Sequence, residues 1–504
     1  MYKPSLLIAG CAAIGVLVHA QSTADRDVLA KMRAEGTERS QVGPVFDMFT
    51  VDIGPRLTGS PAHKRAADFA RDRLAADGLA NARLEPWPFA RSWTLEKLTL
   101  EMVEPRYMPL IGYAEGWSPS TAGEIVAAPV WLAGKTADEV EAMRDSLKGA
   151  IVMSQPILTN FVRRDRADPS APDYQSPPPA GRGGGRGGNP DAQRIARVTR
   201  EAGIGVLLRP SIGEHGTVFV TGRDNGPGAA PSVVLSAEHY NMIARMLERH
   251  VPVRLRVNVQ GKFYEGDGHA YNVLAELPGT DPALKDEVVM IGGHLDSWHT
   301  SVGATDNADG ATTVIEAMRI LKAIGARPRR TIRVALWGGE EQGLLGSKAW
   351  VDQHLAGDAH AAERDTFDVY FNIDPGYGPI YGWFLERSEA VRPIFDAWLD
   401  PLKAIGARRN VIDGIGATDH LSFIAAGVPG FNPIQSYEGY DVRMHHTNVD
   451  TAERLKQDDI KQSAIVMAWF AYNAAMADQK IPREAGAGRA EGAGQAGGAS
   501  RTPH

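Results

Sequence analysis

Apolar runs of strand length alternate with helix-spaced segments through the second half of this chain. Val288-Val289-Met290-Ile291, Thr331 to Trp337 and Val369-Tyr370-Phe371 are continuous apolar stretches, whereas Ala308 to Ile324, Leu344 to His354 and Thr451 to Ala477 carry helical spacing. This alternation, from about Tyr271 onward, predicts an α/β fold: a mostly parallel mixed sheet with helices on both faces. The first half has another texture. Residues 43 to 80 predict helices around the turn Gly54-Pro55-Arg56-Leu57-Thr58-Gly59-Ser60, and Leu98 to Val103 reads as a strand. From 121 to 259 the pattern breaks into short runs: Ile125-Val126-Ala127, Ala150 to Met153, Gly205 to Leu208 and Ser232 to Leu235. Helical segments near Ala137 to Ser146 and His239 to Arg249 separate them. A self-contained β-rich insert at 121–259 is expected, between an N-terminal part at 21–120 and a site-bearing part at 260–480. Its Pro-, Gly- and Arg-rich stretch near 176–190 cannot build a core and predicts a surface loop. The Gly- and Ala-rich tail at 481–504 predicts disorder.

Composition narrows the function. With 504 residues, 43% of them apolar and 23% charged, the chain is long enough for two cores. A net charge of −7 speaks against a nucleic-acid surface, so no nucleic-acid partner is expected. Lys3, the apolar stretch Leu6 to Val18 and the ending Val18-His19-Ala20 have the layout of a signal peptide at 1–20. An extracytoplasmic protein, periplasmic or secreted, with no integral membrane span is expected. The rival reading makes Cys11 the lipid-bearing residue of a lipoprotein box. Cleavage after Ala20 would remove Cys11, the one cysteine in the sequence, leaving neither a thiol nucleophile nor a disulfide framework.

The remaining chemistry lies where strands are expected to end, the edge at which α/β sheets present functional groups. His294-Leu295-Asp296 follows one apolar run, Trp337-Gly338-Gly339-Glu340-Glu341 another, and Asn372-Ile373-Asp374 a third. Asp306 lies in the polar turn Thr305 to Gly310, and His445-His446-Thr447-Asn448-Val449-Asp450-Thr451 lies far downstream. Together these anchors form a ligand set for two divalent cations, most simply zinc. Asp296 is placed to accept the second ring N–H of His294. The two glycines end the strand, so Glu340 and Glu341 can both reach one site, one binding metal while the other holds a proton. Asp306 also suits a helix cap, but Asn307 or Asp309 serves that purpose equally and leaves Asp306 free to bridge two ions. Of the adjacent histidines, His446 is preferred because a helix start is expected at Asp450-Thr451; His445 stays as the alternative.

This combination, with Gly54 to Ser60, Ser297-Trp298, Arg327 to Thr331 and Ala426 to Gly430, resembles the M28 family of co-catalytic zinc exopeptidases, most closely its carboxypeptidase Q branch. The resemblance covers roughly Val42 to Asp478. It implies that the insert is a protease-associated domain and that two Zn²⁺ are held, one by His294, Asp306 and Asp374 and the other by Asp306, Glu341 and His446. Glu340 would be the general base, with a small peptide as substrate; a homodimer is suggested by the family alone. Asp419-His420 looks like a segment that lies near the metals. His299, Thr300 and the Gly–Arg loop depart from the branch's pattern, which leaves substrate preference open between a dipeptidase or carboxypeptidase and an aminopeptidase. Tyr437, Tyr440 and Arg443 are the candidates for lining the substrate's terminus. Two other readings are a peptide-binding protein without catalysis and a single-metal transferase or cyclase.

Overall fold

Six strands form the central sheet, in the spatial order Ala80–Pro88, His269–Leu277, Thr331–Trp337, Val288–His294, Phe367–Asn372 and Gly430–Phe431. The first two junctions are antiparallel and the other three parallel. The computed structural model describes residues 23–175 and 190–483. The expected leader with Cys11, nearly all of the Gly–Arg stretch and most of the 481–504 tail lie outside the described residues.

Both faces of this sheet are covered, which is why its central strands read as unbroken apolar runs. Val289, Ile291, Val334 and Phe371 point into one core, packed by the helices Pro61–Ala76, Asp309–Ala323 and Gln457–Met476. Val288, Met290, Ala335 and Tyr370 point the other way, toward Trp350 of Leu345–His354 and Phe423 of His420–Ala425. Each such side chain, once buried, stabilises the fold by about 1.5–3 kcal/mol. One polar chain in this core is matched end to end: the Trp337 indole donates to the Tyr370 hydroxyl (2.7 Å), which donates to Asn372 Oδ1 (2.6 Å). A further helix, Thr23–Glu38, buries Leu29 and Met32 in the first core. Arg319 locks it there by donating to Glu35 at 2.6 Å and to Glu316 at 2.7 Å.

The helix expected from Thr451 begins instead at Gln457, after a short turn at Ala452–Arg454. Asp450 is drawn inward, where its carboxylate is used elsewhere. Strand register fixes where the functional edge of the sheet lies. His294 pairs with Trp337 and Gly292 with Asn372, so three parallel strands finish at one edge.

Residues between Ser92 and Tyr264 build a second lobe from two further sheets. One is antiparallel, in the order Met108–Pro109, Ser92–Glu104, Arg254–Tyr264 and Ile125–Ala127. The other has five strands, Gly112–Ala114, Ser232–Leu235, Val206–Pro210, Ile151–Met153 and Val130–Trp131, all but the first junction parallel. Strand pairing thus draws this lobe more widely than the 121–259 expected from texture, because Ser92–Glu104 runs along Arg254–Tyr264. Helices Pro190–Glu201 and Ala237–Glu248 give it α/β character as well. Among the described residues no helix is long and apolar enough to cross a membrane.

Candidate metal centre

His294 is the last residue of its strand and is fully buried. Its Nδ1 lies 3.0 Å from the Asp296 backbone carbonyl and 3.6 Å from that residue's Oδ1. With Nδ1 donating to the carbonyl, Nε2 is the free lone pair, and it faces Asp306 Oδ1 at 3.2 Å and Asp374 Oδ1 at 3.7 Å. The other oxygen of Asp306 lies 3.5 Å from His446 Nε2, which is 2.8 Å from Glu341 Oε2. Five predicted side chains from five separate segments therefore come together, and Asp306 stands between two groups of donors.

Asp296 has a second role beside the His294 ring. The chain bends after His294 so that the Asp296 carbonyl, rather than its carboxylate, is the nearer partner of the ring. The carboxylate turns to the glutamate pair: Oδ1 accepts from Glu340 N (3.2 Å), and Oδ2 from Glu341 N (3.3 Å) and Thr58 Oγ1 (2.7 Å). The two glycines make this turn possible. A β carbon on Gly338 would sit 2.8 Å from the His63 ring, and Gly339 adopts φ +74° with Trp87 only 2.7 Å from where its β carbon would lie. Those contacts forbid other residues there.

Electrostatics distinguish the neighbours. Burial, and then the charges of Asp374, Asp419 and Glu341, hold the Glu340 carboxyl well above the usual carboxylate range. Burial and then Asp306 push Glu341 up to about 7. Burial opposes ionisation of Asp306 too, but the imidazoles of His294 and His446 win and hold it below the usual range. His446 is opposed by burial yet raised to about 9 by Glu341, whereas burial and then His446 lower His445 to about 3. Both imidazoles lie within reach of Asp306, but it is His446 that meets Glu341.

Several supporting residues had no signal beyond the resemblance or a bare helix-start reading. Asn307 Oδ1 accepts from Gly310 N at 2.8 Å, serving the helix start and leaving Asp306 unclaimed. Asp450 accepts from Thr305 N at 2.8 Å and Asp306 N at 3.1 Å, so it fixes the backbone on which Asp306 sits. Arg56, wholly buried, donates to backbone carbonyls near both ends of the His294–Asp306 segment, those of Leu295 and Gly303. Asp419, also buried, is pushed up to about 7 by burial, with Asp296 and Asp374 adding to the effect. His299 contacts the second lobe instead, its Nε2 2.8 Å from the Ala114 carbonyl. Tyr437 and Tyr440 are buried with hydroxyls that find no partner among the described residues, and Arg443 is exposed.

Two buried polar atoms of the donor set point to a metal. His294 Nε2 and Glu341 Oε1 are buried without a hydrogen-bond partner among the described residues. Buried groups of this kind are rare without a ligand. Two imidazoles with three carboxylates suit zinc, which takes nitrogen and oxygen donors readily. The residues fit the group.

Comparison with known proteins agrees with this geometry. Residues 272–471 match the pattern of Peptidase family M28, a span that includes every residue of the donor set. Carboxypeptidase Q from Bos taurus is 27% identical over 434 residues, covering 86% of this chain and 84% of its own. The crystal structure of a Peptidase M28 precursor from Shewanella amazonensis is 26% identical, with a TM-score of 0.69 over 92% of this chain and 99% of that one. A zinc aminopeptidase from Bacillus subtilis shares the fold at 19% identity, with a TM-score of 0.57 over 87% of this chain and 95% of its own. Residues 272–471, which hold the whole donor set, therefore carry the pattern of a Peptidase family M28 domain.

Proposed function

We propose that this peptidase is a di-zinc exopeptidase of dipeptides or short peptides, exported from the cytoplasm by a leader at 1–20. In this reading His294, Asp306 and Asp374 hold one cation, and Asp306, Glu341 and His446 the other. The observation that carries it is the double use of Asp306, whose two oxygens face His294 and His446 separately. When bound, the cations would polarise the scissile carbonyl and let water act as a nucleophile near neutral pH.

The rest falls to the chain's own side chains. Glu340 takes a proton from the attacking water on a carboxylate oxygen and passes it to the departing amine nitrogen. Its burial beside Asp374 and Asp419 raises its proton affinity above that of a solvated carboxylate. Glu341 does not substitute, because its Oε2 is set against His446. Asp296, holding both glutamate N–H groups, fixes the direction from which Glu340 approaches. The second lobe is read as a protease-associated domain.

The likeness to carboxypeptidase Q over 86% of this chain favours a dipeptidase or carboxypeptidase; the fold shared with a zinc aminopeptidase makes release of N-terminal residues the second reading. A panel of free dipeptides, longer peptides and N-blocked peptides, assayed before and after chelation, separates them. Dipeptides should be cleaved, chelation should stop turnover and zinc should restore it. Cleavage of N-blocked peptides excludes an aminopeptidase; undiminished activity after metal removal overturns the metallopeptidase reading.

The ligand assignment has its own measurement. His446→Ala should lose about one zinc equivalent while His445→Ala keeps both. Unchanged metal content in His446→Ala would move the assignment to His445.

A further inference from the structure

The loop that carries His446 is gripped at both ends by the second lobe. Downstream, Val220 N donates to the His446 carbonyl at 2.9 Å, and Phe219 pairs antiparallel with Thr447. Asn448 continues the seam: its Oδ1 accepts from Val218 N at 2.7 Å, its Nδ2 donates to the Gly216 carbonyl at 3.3 Å, and its own N donates to the Val218 carbonyl at 3.3 Å. Upstream, the Asp165 carboxylate accepts from Gly439 N at 2.8 Å and Val442 N at 3.0 Å. Arg166 adds a bidentate pair with Asp441 and lies over the rings of Tyr437 (4.8 Å) and Tyr440 (5.6 Å).

His446 itself needs such restraint. Its backbone adopts φ +61°, the left-handed region that a residue with a β carbon seldom occupies. Such a conformation persists where the surroundings over-determine it. Trp298, whose ring belongs to the second lobe's core, also meets the His446 ring edge-on at 6.0 Å. A loop held from one end could still swing; one held at Gly439, Val442, His446 and Asn448 cannot.

We infer that the second lobe is a working part of the metal centre: through Asp165 and the Gly216–Val220 segment it pre-positions His446, and Asp165 and Asn448 are positioning residues for that ligand. Ligand affinity rises when the ordering of the ligand has been completed before binding. Outer partners that orient a metal-binding histidine typically account for about 10–100-fold in affinity. The inference rests on the reading of the cluster as a zinc centre.

The test compares zinc affinity by chelator competition in the full chain for wild type, Asp165→Ala combined with Asn448→Ala, Asn448→Ala alone, Asp165→Asn, and Arg91→Met. Arg91 pairs with Asp224 at 2.5 Å, an attachment to the same lobe that does not touch the loop. One of the two zinc equivalents in the double variant should bind about 10–100-fold more weakly while the other is unaffected. Asp165→Asn, which keeps an acceptor oxygen, should recover part of the loss, and Arg91→Met should bind as wild type. Thermal melts of the metal-free proteins should remain cooperative throughout, separating the effect from unfolding. Unchanged zinc affinity in a folded double variant overturns the inference, as does an equal loss in Arg91→Met. If the double variant does not fold, Asn448→Ala alone decides on the same criterion. Wild-type protein that binds no zinc would remove the metal reading itself, whereas two tight equivalents in every variant would remove the inference alone.

Discussion

Dipeptide hydrolysis should fall by about 10²–10⁴-fold in Glu340→Gln while zinc content stays at the wild-type level. Glutamine matches glutamate in shape but has no basic oxygen able to take and release a proton. The backbone N–H of residue 340 would still donate to Asp296, so the turn is retained. No ion pair of the cluster passes through the Glu340 side chain, whereas Glu341 contacts His446 at 2.8 Å. Metal analysis and steady-state kinetics on the same sample therefore distinguish the two neighbours. Glu341→Gln should lose both zinc and turnover. Turnover of Glu340→Gln within about tenfold of wild type would remove this residue from the role of base.

Arg56→Met should destabilise the lobe that carries the site by about 3–5 kcal/mol, a loss of the size seen when a buried charged network is broken. The guanidinium is 0% exposed. Its donors reach the carbonyls of Leu295 (2.9 Å), Phe49 (3.1 Å), Gly54 (3.0 Å), Val302 (2.7 Å) and Gly303 (3.0 Å). Burial lowers its pKa to about 10, with Asp450, Asp296, Asp306 and Glu341 working against the drop, so it remains charged at neutral pH. Methionine would fill much of the volume but leave the carbonyls of Leu295, Gly54 and Val302 without a donor, each a buried acceptor costing about 1–3 kcal/mol if water does not reach it, while Phe49 and Gly303 keep the backbone N–H groups of Gly54 and Ala308. Lysine should not rescue, because a compact ammonium cannot reach acceptors spread around a planar fork. Denaturant unfolding of the metal-free protein measures the effect. A loss below about 1 kcal/mol would mean that the carbonyls find other donors.

Much of the architecture was legible because it is written in local pattern. The strand at Thr331–Trp337 and the helices at Asp309–Ala323 and Leu345–His354 match their periodicity to within a residue. Ala80–Pro88 carried no such signal, since its residues are half exposed and lack a clean alternation. The extent of the second lobe was hidden for another reason. Ser92–Glu104 belongs to it by pairing with Arg254–Tyr264, a partner some 150 residues away, as the Arg254–Glu104 contact shows.

The same division holds at the site. By itself the sequence determined which candidate donors exist and that His294, Glu341 and Asp374 lie at strand ends, because an apolar run, a glycine break and a polar turn are short-range features. Tertiary structure alone decided that the Asp296 carboxylate serves the glutamate turn, that Asp450 braces Asp306 from 144 positions away, that Arg56 spans the carbonyls of Leu295 and Gly303, and that the second lobe grips the His446 loop. Those outcomes depend on ångström-scale distances between distant segments, and such distances arise only when the sheet and both lobes pack.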